Sequence, residues 1–191
     1  MRFVWNFLNM EWFIVGFKGR LAIGQAGESA IAKWLISRGN CVLPVYEKII
    51  DEGKGPQLFT CDGCLIAPDL LAIKGHHIYW IEAKHKEAFT WYRIGRVFET
   101  GIDLRHYADY LEIASTTNIP IWLLFLHCGG KAKDSPPSPS GLYGNDLLIL
   151  SKNVSHQSDR YGSGGMIYWA RECDGGPLKH ISTYESVARL C

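Results

Sequence analysis

Residues 65–85 read Leu-Ile-Ala-Pro-Asp-Leu-Leu-Ala-Ile-Lys-Gly-His-His-Ile-Tyr-Trp-Ile-Glu-Ala-Lys-His. Two apolar runs stand out in this stretch, Leu65 to Ile73 and His77 to His85, both rich in β-branched and aromatic side chains. Only Lys74-Gly75-His76 separates them, a spacing that predicts two strands joined in a hairpin. In the second run Ile78, Trp80, Glu82 and Lys84 share parity, so Glu82 and Lys84 project from one face while Tyr79, Ile81 and Ala83 face the other way. Pro68-Asp69 falls early in the first run. A carboxylate on one strand is thus brought toward an acid and a lysine on the next.

Upstream, residues 25–38 read as a helix, with Ile31, Ala32 and Leu35 at helical spacing and Gly39 where a left-handed cap belongs. Projection of this helix sets Glu28 between Ile31 and Leu35 on the apolar face. A carboxylate there demands a partner, because burying one alone costs several kcal/mol, about the penalty for any unpaired charge. The plainer reading is a helix-start glutamate on a slightly rotated face. A short strand, Cys41 to Tyr46, and a loop rich in glycine and charge, Asp51 to Pro56, lead to the hairpin.

Downstream, Leu104, Tyr107, Ala108, Leu111 and Ala114 predict a second helix, with Asp103 placed to cap it and Asn118-Ile119-Pro120 to end it. Ile121 to His127 is almost wholly apolar, as a central strand buried on both faces should be. Lys131 to Ser140 reads as a flexible loop. Beyond it lie a short apolar piece (Leu147 to Leu150), a Gly/Ser loop (Tyr161 to Gly165), a strand (Met166 to Ala170) and a last helix with a capping box over Ser182-Thr183-Tyr184-Glu185.

The 191 residues suit a single domain, 1–191, and a composition that is 47% hydrophobic and 20% charged excludes a disordered chain. A net charge of +1 supplies no whole-molecule field, so a polyanionic partner must meet a local patch. Residues 1–23 are apolar and aromatic, but Asn6, Asn9 and Glu11 interrupt them, which favours an aromatic arm over a membrane span or signal peptide. Six cysteines in a chain able to build its own core point to a reducing cytoplasm. Cys61-Asp62-Gly63-Cys64 has half of a zinc-ribbon spacing, no second pair completes it, and two loop cysteines are the simpler reading. His76-His77 is read as the surface tip of a hairpin.

The order helix, strand, strand, strand, helix, strand, with Pro68-Asp69 and Glu82-Ala83-Lys84 on paired strands and Glu28 on the helix, resembles the PD-(D/E)XK nuclease superfamily. The resemblance covers roughly residues 24–127. A second acid-x-Lys, Glu52-Gly53-Lys54, has no strand beneath it and is set aside. The region from Gly162 to Trp169 is similar to the tail of small phage or prophage nucleases of this kind. The resemblance implies a restriction-endonuclease-like α/β core, with a mixed central sheet flanked by helices, in a bacterial or phage-infected cell.

Asp69 and Glu82 would repel each other unless a cation joined them, and oxygen ligands suit Mg2+ or Mn2+. The resemblance adds the Ala83 carbonyl as a ligand and Glu28 at a second ion or a metal-bound water. Lys84 would orient or deprotonate the attacking water and offset phosphorane charge. The expected activity is Mg2+-dependent endonucleolytic hydrolysis of DNA, with a 5′-phosphate product implied by the family. A junction resolvase and a catalytically inactive nucleic-acid-binding module are the alternatives, and a plain salt-bridged surface strand is the bland one.

Between Lys84 and His106, Lys86, Arg93, Arg96 and Arg105 outnumber the acids and follow the site directly, as phosphate contacts on duplex or branched DNA would. Phe89, Trp91 and Tyr92, interleaved there, could meet sugars or bases; a mixed solvated helix face is the other reading. Cutting both strands favours a homodimer. No membrane partner is expected.

Overall fold

Helix α1 covers residues 26–37 and is ended by Gly39, whose φ of +84° is the left-handed value that glycine adopts at a helix C-terminus. The structure, a computed structural model, describes residues 26–45, 56–61, 63–131, 135–160 and 164–190. The N-terminal arm, Tyr46, the loop at 51–55, Asp62 and the greater part of the Gly/Ser loop at 161–165 lie outside the described residues.

Strand β1 (Cys41–Pro44) follows α1, and β2 (Gln57–Thr60) and β3 (Gly63–Ile66) form a separate two-stranded ribbon. Next come β4 (Leu70–Lys74) and β5 (His77–Lys86), paired antiparallel through a two-residue turn whose first residue, Gly75, has φ +61°. The hairpin is therefore real, but the run Leu65 to Ile73 is not one strand. Pro68 has no N–H to give to a ladder, and the preceding amides leave the sheet: Ile66 N donates to Asp109 Oδ2 and Ala67 N to Pro56 O. Asp69 consequently stands just before β4.

The segment after β5 is not a helix face. It forms β6 (Thr90–Tyr92) and β7 (Val97–Asp103), which lead straight into α2 (Leu104–Thr117). Asp103 takes the N-cap position without a side-chain cap bond, and Asn118 ends the helix in the left-handed conformation at φ +55°. Then follow β8 (Ile121–His127), β9 (Gly141–Asp146), α3 (Leu147–Ser151), β10 (His156–Ser158), β11 (Met166–Ala170), β12 (Lys179–Ser182) and α4 (Tyr184–Ala188). The cap of α4 is Thr183, one residue beyond the expected Ser182, and its hydroxyl accepts from Ser186 N. Within the 131–140 stretch, buried Ser138 accepts the Phe89 amide.

Six strands form a mixed sheet in the order β1-β4-β5-β8-β9-β12, in which β5 and β8 are parallel and the other neighbours antiparallel. A four-stranded sheet, β10-β11-β7-β6, packs beside it. Side chains of β8 point to two cores in turn. Ile121, Leu123 and Phe125 meet Ile113 of α2, Phe98 of β7 and Trp169 of β11, while Leu124 and Leu126 meet Ile31 and Leu35 of α1 and Val187 of α4. In chain order the elements up to β8 are α1, β1, the β2–β3 ribbon, β4, β5, the β6–β7 hairpin, α2 and β8, a mixed α/β arrangement with more strands than the sequence suggested. Among the described residues no helix is long and apolar enough to cross a membrane.

Candidate active site

β5 runs on past the first residue of β4, and there the Ala83 amide has no strand partner on that edge and donates instead to Asp69 Oδ2 at 2.9 Å. The N–H and C=O of one strand residue face the same side, so the Ala83 carbonyl is turned to the same edge. Glu82, one residue earlier and on the opposite pleat face, is 1% exposed. Its Oε2 accepts the Tyr110 hydroxyl from α2 at 2.6 Å, and its Oε1 is in ion-pair contact with the Lys84 ammonium. Lys84 Nζ also lies 3.9 Å from Asp69 Oδ2. The ammonium thus stands between two carboxylates delivered by adjacent segments.

Glu28 reaches this cluster from α1. It is half-buried, and Lys84 and Glu82 act on its charge. Gly27 makes the approach close, since a Cβ there would lie 2.2 Å from the Cβ of His85 on β5.

The charges are strongly coupled. Burial, and then the neighbouring Glu82, push the Asp69 carboxyl up to about 8 against the pull of Lys84 and the Ala83 amide. Burial also raises Glu28; Lys84 opposes this and Glu82 adds to it. Burial alone would lower Lys84, but Glu82 and then Asp69 outweigh it and hold the ammonium above its ordinary range. The Tyr110 hydroxyl is raised well above normal by burial and by Glu82. Three acids compete for one cation, the condition that a divalent ion relieves.

The donor set is all oxygen and suits a hard cation such as Mg2+ or Mn2+. In the present arrangement Lys84 supplies the compensating charge, and among the described residues no three His, Cys, Asp or Glu side chains stand close enough to grasp an ion together. Cys61 and Cys64 lie exposed beside the tip of the β2–β3 ribbon and Cys41 is exposed on β1, with no such group around them. His76 and His77 are exposed at the β4–β5 turn, as expected.

The basic residues fall into two sets. Lys86, on the face of β5 that carries Lys84, and Arg93, in the β6–β7 turn, line one groove of about 440 Å³ together with Lys131. Lys86 is pulled down by burial and by Lys84. Arg96 is exposed in the same turn at φ +54°, and Arg105 is exposed on the first turn of α2. Of the aromatic residues between them, Phe89 is buried, whereas Trp91 and Tyr92 are half-buried and Trp91 also lines that groove. Phe89 is 1% exposed and stacks on His127 at 3.6 Å, Trp91 packs on Phe98, and Tyr92 stacks on His156.

Three residues were not singled out by sequence reasoning. Tyr110 lies on the apolar stripe of α2, where its ring reads as core, and only its hydroxyl hinted at a buried acceptor. Gly27 carried no signal beyond a glycine within a helix. Lys131 sat in a stretch read as a loop.

No protein-family model matches the chain, and no curated protein matches it. Among solved structures it is similar to a Holliday junction resolvase of Archaeoglobus fulgidus, at 11% identity and a TM-score of 0.49, over 86% of this chain and 99% of that one.

Proposed function

We propose that the chain hydrolyses phosphodiester bonds of DNA as a Mg2+- or Mn2+-dependent endonuclease. The observation that carries this reading is the Lys84 ammonium between Asp69 and Glu82, with Glu28 coupled to the same cluster from α1. Asp69, Glu82 and the Ala83 carbonyl would hold the ion, with Glu28 at a second ion or an ion-bound water. The bound ion would supply Lewis-acid polarisation of the phosphate and a nucleophilic water near neutral pH.

The chain's own residues do the rest. Tyr110 fixes one oxygen of Glu82, so that carboxylate presents its other oxygen in a single orientation. Lys84, ion-paired with Glu82 and beside Asp69, would orient or deprotonate the water and offset charge gathering on the phosphoryl oxygens. In the reaction the water oxygen bonds to phosphorus, the P–O3′ bond breaks, and the proton ends on the 3′ oxygen. Lys86, Arg93 and Lys131 in one groove suit the strand's phosphates. Cutting both strands calls for two copies related by a two-fold axis, which light scattering on DNA would register.

The test is incubation with plasmid, linear, single-stranded and branched DNA, with Mg2+ or with EDTA. Metal-dependent cleavage lost in Asp69→Asn supports the reading. Preference for the branched substrate would make the protein a junction resolvase. Binding without cleavage at any metal concentration would leave an inactive nucleic-acid-binding module and overturn the enzyme.

A further inference from the structure

The turn between β6 and β7 reads Arg93-Ile94-Gly95-Arg96, and Ile94 is 87% exposed there, more than any other large apolar side chain described. A solvated isoleucine contributes nothing to the core, yet the fold fixes the turn that carries it. Tyr92, the last residue of β6, lies so close over Gly95 that a Cβ there would come within 2.8 Å of its ring. The same ring stacks on His156 at 4.6 Å, and His156 stacks in turn on Tyr168 at 4.6 Å. Behind the stack, His156 Nδ1 stands 2.9 Å from Oε2 of Glu99, a fully buried carboxylate whose other oxygen accepts the Ser155 hydroxyl. Arg96 holds the left-handed φ of +54° that side chains other than glycine seldom adopt. A buried acid, a clamped imidazole and two tyrosines thus brace a turn whose tip is an apolar side chain between two arginines.

We propose that this turn is a wedge for DNA: Ile94 enters an unstacked base step while Arg93 and Arg96 hold the phosphates on either side. Apolar side chains inserted between bases kink a duplex and act where stacking is already weak. The substrate class is therefore DNA with a branch point or a bulge, in preference to a fully paired duplex. Arg93 joins the tip to the groove it shares with Lys86, two residues beyond Lys84 on the same strand face, so the wedge would set the kink beside the cutting centre. The inference rests on the nuclease reading above.

The experiment uses the full chain with Ca2+ replacing Mg2+ and three DNAs, a four-way junction, a bulged duplex and a paired duplex. Each carries 2-aminopurine, whose fluorescence rises when it unstacks. With the wild type, the junction and the bulge should brighten at least about threefold, the signature of a base step opened by an inserted side chain. Ile94→Ala should at least halve that rise and weaken binding to these two at least about tenfold, with the paired duplex changed less than about twofold; Ile94→Phe should keep the rise. Ile94→Ala with wild-type brightening and affinity, or with an equal loss on all three DNAs, overturns the wedge. In both cases the nuclease reading stands if the same preparations cut plasmid with Mg2+. A wild type that neither binds nor cuts any DNA overturns both.

Discussion

Tyr110 donates its hydroxyl to Glu82 Oε2 across 2.6 Å, so a residue on α2 holds one oxygen of the buried acid on β5. Removing that donor leaves a buried, charged acceptor short of one bond. Tyr110→Phe should therefore destabilise the fold by about 1–3 kcal/mol, the range for an unsatisfied buried partner of a charged group. It should also slow cleavage by loosening Glu82. Urea unfolding beside a rate measurement checks both, and wild-type values in each would show that Glu82 is oriented without Tyr110.

Substitutions in the acidic cluster should separate by role. On the proposed mechanism Asp69→Asn and Glu82→Gln each remove an ion ligand and Lys84→Ala the ammonium that acts on the water, and each should lower the rate at least about 100-fold with the fold intact by circular dichroism. Glu28→Gln should be milder but weaken Mg2+ binding by calorimetry.

Gly27→Ala sets two magnitudes against each other. Alanine in a helix interior gains about 1 kcal/mol over glycine, whereas overpacking typically costs about 1–3 kcal/mol. The new Cβ would sit 2.2 Å from the Cβ of His85, a strand residue that cannot swing away, so the cost should win. The variant should melt below the wild type and cleave more slowly as α1 carries Glu28 outward. A variant that melts above the wild type would show that α1 tolerates the displacement.

Buried His127 contributes to the loss of stability in acid, against the raised carboxyls of Asp69 and Glu28. Burial, with Lys86 and His85 nearby, lowers it from 6.5 to about 3, so on acidification the unfolded chain takes up this proton first. Its contribution is complete above about pH 6.5 and is lost as the pH falls from there through about 3. His127→Phe, which keeps the stack on Phe89, should flatten urea midpoints over that window. An unchanged slope would assign the acid loss to other groups.

Arg93→Ala and Arg96→Ala should weaken DNA binding by similar factors on every sequence, because phosphate contacts carry no sequence information. Together they should reduce the slope of log affinity against log salt by about 2. A double variant with wild-type affinity and salt slope would move the phosphate contacts elsewhere on the surface.

The arrangement of the cluster was legible wherever it depended on local pattern. Parity along one strand put Glu82 and Lys84 on one face, and helical projection brought Glu28 inward. What failed was non-local. The run through Leu65 to Ile73 is as apolar as a strand should be, but Pro68 and the pull of Asp109 on the Ile66 amide divide it, and that acid lies 43 residues away in the chain. The stretch from Thr90 to Asp103 carries no clear strand period because β7, buried on both faces from Phe98 to Ile102, takes its ladder from β11 at the far end of the chain. Tyr110 was hidden for a related reason: its partner lies on another element, and its spacing is that of core.

The parallel pairing of β5 with β8 has a consequence for how the protein is made. The ladder that flanks Glu82 and Lys84 on that side runs from Trp80↔Ile121 to Lys86↔His127, so it cannot form until β6, β7 and α2 have been synthesised and folded back. Until His127 has left the ribosome, β5 keeps an unpaired edge through Trp80, Glu82 and Lys84. Long-range parallel pairing of this kind is slow, and such an edge invites other chains. Expression at low temperature, or with abundant chaperone, should therefore raise the soluble yield by more than it does for a protein whose central strands are paired only within hairpins.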